Sequence, residues 1–91
     1  MILQGHLDNV GCLAFSTNAA RVASGSWSIN SRGSIIIHST SSNKVEFRAD
    51  NVFAYGVHGL CYLMDGSLVA CGGDGPEGNG LKVFSPSLEL V

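Results

Sequence analysis

Short apolar runs separated by polar residues extend along the whole chain, and they predict strands rather than helices. In the first half the runs are 10–15, 21–26, 33–38 and 44–48; in the second half they are 57–63, 67–72, 81–84 and 88–91. Some of them, such as Ile35-Ile36-Ile37, are apolar on both faces, which is typical of a strand in a sheet that is covered on both sides. Because no stretch has a helical period, we predict an all-β protein.

The turn at residues 64–67 gives the clearest local signal. Its sequence is Met-Asp-Gly-Ser, and the Asp-Gly pair supplies the positive φ that tight hairpin turns need. We therefore expect the runs on either side of it to form an antiparallel hairpin.

The two halves of the chain repeat one another. Val57 follows Val10 by 47 residues, and residues 69–73 match residues 22–26 at the same separation, whereas residues 81–85 match residues 35–39 at a separation of 46. A near-constant period of this length indicates stacked supersecondary units, each too small to bury its own apolar face. Since each unit contains four predicted strands, we expect two four-stranded antiparallel sheets.

The order of residues in the first unit resembles a repeat of the WD-repeat β-propeller family, whose pattern opens with Gly-His and closes with Trp-Asp. The matching segments are Gly5-His6, Asp8-Asn9-Val10, Leu13-Ala14-Phe15-Ser16, Val22-Ala23-Ser24-Gly25-Ser26 and Gly33-Ser34-Ile35-Ile36-Ile37. The closing Trp-Asp is absent from both units, where His38-Ser39 and Phe84-Ser85 stand. The resemblance implies two propeller blades, at about residues 5–50 and 51–91, with residues 1–4 as the remnant of an outer strand.

In that family a polar network links the His of Gly-His, a Ser or Thr on the second strand, an Asp in the next turn and the Trp of the third strand. The resemblance therefore implies a structural network in the first unit, formed by His6, Ser24, Ser28 and His38. In the second unit it places Phe53, Cys71 and Phe84 at the polar positions, with Asp74 near the turn position. Apolar packing is accordingly expected to replace the network there.

Each unit has a long turn between its second and third strands, at residues 27–32 and 74–79. Insertions at the same place in successive repeats project from one face of an assembly, often the binding face. The candidate protein-binding residues in these turns are Trp27, Arg32, Asp74, Glu77 and Asn79. An exposed Trp27 beside Arg32 would form a hot-spot pair; in the alternative arrangement, Trp27 folds back as a plug over the edge of its own sheet.

Composition and charge exclude several classes of protein. With 45% hydrophobic and 13% charged residues, the chain is not a disordered tail. The net charge is −2 and the five basic residues are scattered, so we expect no nucleic-acid partner. No apolar run approaches the ~20 residues of a membrane span. The absence of signal-peptide features, together with three cysteines read as free thiols, predicts an intracellular, cytoplasmic protein.

Two sequence patterns in the second long turn partly match ligand-binding motifs, one for a dinucleotide and one for a metal ion. Residues 73–78 have the glycine spacing of a dinucleotide-binding loop, but a predicted strand follows them instead of the helix that would hold a pyrophosphate. Asp74, Glu77 and Asn79 offer oxygens to a cation, yet the loop lacks the EF-hand spacing and its final bidentate Glu. We therefore expect neither a cofactor nor a metal.

The remaining reactive residues do not form a catalytic group. His58 and Cys61 are three residues apart on a predicted strand and point to opposite faces, which excludes a local dyad or a shared zinc site. The three cysteines Cys12, Cys61 and Cys71 align with Gly59, Ala14 and Ser24, so we expect small, buried packing residues. No two carboxylates share a strand face at short spacing, and the chain is therefore not expected to be an enzyme.

These observations favour a non-catalytic protein-interaction or scaffold module. Two blades fall short of the roughly four to eight that close a propeller, so other protein chains would complete it, either a different chain or further copies of this one. The alternative is a propeller that binds a small ligand or glycan between its blades and is assembled from several copies.

Overall fold

A computed structural model describes residues 4–6, 9–27, 32–73 and 79–91, which form two antiparallel sheets. The strands are β1 (Asn9–Phe15), β2 (Arg21–Trp27), β3 (Gly33–Ser39), β4 (Val45–Phe53), β5 (Val57–Tyr62), β6 (Leu68–Gly73) and β7 (Asn79–Phe84). Sheet 1 has the order β1-β2-β3-β4 and sheet 2 the order β5-β6-β7. The described residues contain no helix, and the all-β prediction with two antiparallel sheets is confirmed.

Sheet 2 has three strands, so the prediction of a fourth strand at 88–91 is wrong. A turn follows β7, in which the Leu88 amide donates to the Ser85 carbonyl and Leu88 has a φ of +66°. This left-handed residue interrupts an extended chain. Beyond it, pairing with β7 is limited to a single bridge between Leu90 and Phe84.

The predicted hairpin between β5 and β6 is confirmed. Gly66 has a φ of +89°, which a residue with a Cβ rarely adopts, and the Ser67 amide donates to the Asp65 carboxylate at 2.9 Å. The turn between β1 and β2 is also closed by a side chain, because Asn18 Oδ1 accepts from the Ala20 amide at 3.0 Å. Polar side chains in both turns thus satisfy backbone groups that the ladders leave free.

The fourth strand of sheet 1 is longer than predicted. It begins at Val45 but continues to Phe53, past an irregularity at Asn51, whose φ is +56°. At this irregularity its pairing with β3 shifts, so that Phe53 lies opposite Gly33. The predicted division between the two units, at residues 50 and 51, therefore falls inside this strand.

One apolar core fills the space between the sheets. The inner face of sheet 1 carries Cys12, Ala14, Ala23, Gly25, Ile35 and Ile37. The inner face of sheet 2 carries Val57, Leu60, Tyr62, Leu68, Ala70 and Phe84. Since Ile35 and Ile37 are completely buried, each contributes roughly 1.5–3 kcal/mol to folding. The sheets come closest where β5 lies against β1 and β2.

The opposite face of each sheet, its outer face, points away from this core. In sheet 1 it carries Val10, Leu13, Phe15, Val22, Ser24, Ile36 and His38. In sheet 2 it carries Gly59, Cys61, Val69, Cys71, Leu81 and Val83.

Strand pairing shows which residues of the two sheets are equivalent. The first strand of each sheet has a bulge at the same place, after Val10 in β1 and after Val57 in β5. This fixes the separation of the first strands at 47 residues. The ladders of the second and third strands match at 46, since Val22 pairs with His38 in sheet 1 and Leu68 with Phe84 in sheet 2.

The second unit is therefore one residue shorter than the first in its first hairpin. For this reason the predicted alignment of residues 22–26 with 69–73 is wrong by one residue. The closing hydrogen bond of the hairpin joins Ser16 to Arg21 in sheet 1, but Leu63 to Ser67 in sheet 2. As a result the counterpart of Ser24 is Ala70, while Cys71 is the counterpart of Gly25.

Candidate functional site

A chain of hydrogen bonds crosses the outer face of sheet 1 and includes His6 and Ser24, two of the predicted network residues. His6 Nε2 lies 2.8 Å from Ser24 Oγ, which lies 3.4 Å from the Ile36 carbonyl oxygen. On the other side of the ring, His6 Nδ1 lies 3.4 Å from Ser34 Oγ. Ser34 Oγ is in turn 2.9 Å from Ser26 Oγ.

The direction of these hydrogen bonds follows from the carbonyl at one end. The Ile36 carbonyl only accepts, so the Ser24 hydroxyl donates to it and the His6 Nε2–H donates to Ser24. At the other end, the Ser26 hydroxyl lies 2.9 Å from the Ser34 hydroxyl and 3.4 Å from the Ser34 carbonyl oxygen, and it accepts from the Ser34 amide at 3.0 Å. The side chains of this chain of hydrogen bonds thus all have partners, which is the condition under which a buried polar network stabilises a fold.

His38 is buried and holds the segment that carries His6. Its Nε2 donates to the Gln4 carbonyl oxygen at 2.7 Å, and Arg48 Nη1 donates to the Gly5 carbonyl oxygen at 2.9 Å. These two bonds fix residues 4–6 over β3 and β4, so that the imidazole of His6 reaches Ser24. Ser28, the fourth predicted network residue, lies outside the described residues.

Sheet 2 has an apolar arrangement at the equivalent place. Phe53 is completely buried against Gly72, where an added Cβ would come within 2.7 Å of the ring. The Lys82 ammonium lies 4.7 Å from the ring centroid and donates to the Val52 carbonyl oxygen. The counterparts of His6, Ser24, Ser26, Ser34 and His38 are Phe53, Ala70, Gly72, Gly80 and Phe84.

Both outer faces expose apolar side chains whose counterparts within the chain are covered. On sheet 1, Leu13 is 60% and Phe15 58% exposed, whereas their counterparts Leu60 and Tyr62 pack against the core. On sheet 2, Leu81 is 74% exposed, whereas its counterpart Ile35 is completely buried. Each outer face therefore carries large apolar side chains that the described residues leave exposed.

The cysteines are free thiols and lie on equivalent faces, but the prediction that they are all buried is wrong. Cys12 is half-buried in the core, and this desolvation raises the pKa of its thiol. Cys61 is exposed and Cys71 partly exposed, because no layer of the described part of the chain covers the outer face of sheet 2. His58, at the bulge of β5, is exposed. Within the described ranges, no three His, Cys, Asp or Glu residues are grouped as metal ligands.

The geometry at Trp27 favours the arrangement in which its side chain folds back. An added Cβ would lie 2.6 Å from Trp27 Cδ1 at Gly11 and 2.4 Å from Trp27 Cβ at Gly56. The indole therefore packs on Gly11 of β1, and Trp27 remains 39% exposed. Gly56 is required there for a second reason, since its φ is +101°.

The structure describes the other candidate protein-binding residues only in part. Arg32 is exposed, and its Nε donates to the Asn51 carbonyl oxygen at 3.4 Å. Asn79 begins β7 and its backbone pairs with Gly73. Asp74 and Glu77 lie outside the described residues, as does the side chain of Asn79.

A cleft of about 390 Å³ lies between the first hairpin turns of the two sheets, and sequence reasoning missed it. Its polar lining residues are Ser16, Thr17, Asn18, Arg21, Tyr62 and Asp65. The Tyr62 hydroxyl is buried without a hydrogen-bond partner among the described residues, and desolvation raises its pKa. Hydrogen bonds from Ser67 lower the pKa of the exposed Asp65 carboxyl.

In comparisons with known proteins, the chain matches no family model and no curated protein sequence. None of the described elements is a helix long and apolar enough to cross a membrane.

Proposed function

We propose that this chain is a non-catalytic interaction module, which contributes two β-propeller blades of WD-repeat type to a multi-chain assembly. Each sheet is a meander of neighbouring strands with a bulge at the same place in its first strand. A short segment preceding each sheet lies over one of its faces, with His6 at Ser24 in sheet 1 and Phe53 at Gly72 in sheet 2. Both features support a repeated blade.

The exposure of both outer faces is the observation on which this proposal depends. The inner face of one sheet packs on the inner face of the other, and these two faces are not equivalent. A head-to-tail stack of this kind leaves one face of each type uncovered at its two ends. Propellers cover such faces with further blades, so the chain requires partners to bury Leu13, Phe15 and Leu81.

The polar groups near these faces support a structural role. His6 and His38 are occupied by Ser24 and by the Gln4 carbonyl, and Arg21 pairs with Glu46 at 3.0 Å. The three free thiols favour a reducing, intracellular location, for which we propose the cytoplasm.

Two charge variants test the proposal in native extract. We expect the wild-type chain to elute in an assembly larger than 9.5 kDa, and Leu13→Lys or Leu81→Lys to release it, because a charge on a buried apolar face is costly. Met64→Lys is the matched control, since Met64 is 94% exposed and lies in a hairpin turn. A folded monomer that binds no apolar dye and enters no assembly would overturn the proposal.

The cleft between the two hairpin turns favours a second candidate, in which the assembly binds a small ligand or glycan between blades. The Asn18, Arg21 and Asp65 side chains that line the cleft offer donors and acceptors to sugar hydroxyls. A glycan array probed with the wild type and Asp65→Asn tests it. Binding that falls with the variant supports a glycan site, and absence of binding by the wild type excludes one.

A further inference from the structure

The contact between the sheets is organised around one valine. Val57 of sheet 2 is completely buried against the pair formed by Cys12 and Gly25 on the inner face of sheet 1. The Cys12 thiol donates to the Val57 carbonyl oxygen over 3.6 Å, and an added Cβ at Gly25 would lie 2.8 Å from Val57 Cβ. The glycine thus admits the valine, and the sulfur fills the space beside it.

The exposed outer face of sheet 2 carries the same pair with the two residues exchanged. Gly59 of β5 is the counterpart of Cys12, and Cys71 of β6 is the counterpart of Gly25. The sulfur again lies beside the glycine of the pair, but it extends from the second strand towards the first in sheet 2 and from the first towards the second in sheet 1. An added Cβ at the glycine would lie 2.8 Å from the sulfur in both sheets, from Cys12 at Gly25 and from Cys71 at Gly59. The exposed end of the stack therefore carries a similar glycine gap, displaced by one strand to Gly59, and a valine entering there must shift away from the Cβ of Cys71.

The valine that would enter this surface is also present. Val10, on the outer face of sheet 1, occupies the position before the bulge of β1 that Val57 occupies in β5. Val10 is 54% exposed, whereas Val57 is completely buried. Within one chain Val10 and Cys71 lie on opposite outer faces, so they meet only between chains.

The surroundings of these residues are complementary as well. The outer face of sheet 2 forms a shallow apolar groove of about 300 Å³ around Gly59 and Cys71, bordered by Val69 and Leu81. Leu13 and Phe15 stand beside Val10 on the outer face of sheet 1 and replace the Leu60 and Tyr62 of the internal interface.

We infer that the outer face of sheet 2 packs on the outer face of sheet 1 of a second copy of this chain, with Val10 of that copy seated on Gly59 and Cys71. The inference rests on the proposed function, because it names the partner that covers the exposed faces. The contact is heterologous, so each copy leaves the same two faces free until the rotation between copies closes a ring. A closed ring of this kind contains an even number of sheets.

A disulfide tests the register of this contact. In the internal interface the Cβ positions equivalent to residues 10 and 71 are 2.8 Å apart, and a displacement of about 1 Å brings them to the ~3.8 Å of a disulfide. We expect purified Val10→Cys/Cys61→Ser protein to form cross-linked dimers and larger species on mild oxidation. Adding Cys71→Ser should abolish them. Thr17→Cys/Cys61→Ser, with the new thiol in an exposed turn, should give no cross-link that depends on Cys71.

Light scattering provides a second measurement that needs no oxidation. We expect wild-type protein to form multiples of 9.5 kDa, and Leu81→Asp to raise the dissociation constant between copies by about 100-fold, as for a hot-spot residue. Met64→Asp should change it by less than about 3-fold, because Met64 is away from both faces. Circular dichroism of each variant establishes that it is folded.

The outcomes separate this inference from the proposed function. Oligomers without the Cys71-dependent cross-link would overturn the register, and a folded monomer at every concentration would overturn self-association. If that monomer enters a larger assembly in native extract, and Leu13→Lys releases it, the proposed function stands with a different chain as the partner. If it enters none, both fail.

Discussion

Each sheet has a side chain packed over one of its faces, and this side chain is polar in sheet 1 and apolar in sheet 2. Over sheet 1, His6 is held by hydrogen bonds to Ser24 and Ser34, whereas over sheet 2 the ring of Phe53 packs on the glycine that replaces Ser26. A polar chain stabilises only when every member is satisfied, whereas a buried phenyl ring needs no hydrogen-bond partner. The second sheet therefore needs no serine at Ala70 or at Gly80.

The comparison also shows how burial depends on neighbours. Sheet 2 covers the inner face of sheet 1, so Ile35 is completely buried, while the equivalent Leu81 is 74% exposed among the described residues. Equivalent strand positions thus form part of the core in one sheet and an exposed surface in the other.

The largest effect is expected from removing the apolar packing of sheet 2. Phe84→Ala should lower the free energy of unfolding by about 3–5 kcal/mol, because Phe84 is buried in the core. Phe15→Ala is the matched control, since the exposed Phe15 should cost less than about 1 kcal/mol in the isolated chain. Denaturant titration of both measures the difference, and equal small effects would contradict the core position of Phe84.

Replacing the phenyl ring over sheet 2 by the imidazole that sheet 1 uses should lower the free energy of unfolding by an intermediate amount. Phe53→His places an imidazole where sheet 2 has Ala70 and Gly80 in place of serines, and should cost about 2–3 kcal/mol. Adding Ala70→Ser supplies the partner that Ser24 provides in sheet 1. We expect a double-mutant cycle to recover at least about 0.5 kcal/mol. A strictly additive cycle would show that His6 and Ser24 are not a transferable pair.

A smaller effect is expected from interrupting the polar chain of sheet 1. Ser24→Ala should cost about 1 kcal/mol, since one hydrogen bond to His6 and one to the Ile36 carbonyl are lost at a partly buried site. Ser41→Ala, at an exposed turn position, is the control. Thermal or chemical unfolding measures both, and an unchanged stability of Ser24→Ala would contradict a stabilising network.

The smallest effect is expected at Tyr62, the counterpart of Phe15. Tyr62→Phe should change stability by no more than about 0.5 kcal/mol near pH 7, because the hydroxyl has no partner among the described residues. Desolvation raises the pKa of Tyr62 above its usual 10.0, so the fold disfavours the phenolate. Its contribution is therefore complete below pH 10 and is lost as the pH rises through the raised pKa. Unfolding curves should show a weaker alkaline loss for Tyr62→Phe, and identical curves would contradict this.

The pattern of apolar and polar residues determined the fold class and most strands. Alternation and turn residues act locally, so the Asp65-Gly66 hairpin and the runs around Val22 and Ile36 could be identified without the structure. The repeat further indicated that both ends of the stack would be apolar. It could not place the missing residue in the first hairpin of the second unit, because Ala70 and Cys71 are both acceptable beside Val69. Pairing with Phe84 and Leu81 decides that register.

Only the tertiary structure decided which faces are covered and which polar groups meet. A strand pattern is the same for Ile35 and Leu81, and burial depends on whether a second sheet lies against it. Likewise, His6 reaches Ser24 because His38 and Arg48 fix the backbone of residues 4–6 from distant strands. The exchange of Cys12 and Gly25 for Gly59 and Cys71 became visible only across the β-ladders, since residues that face one another there are far apart in the chain.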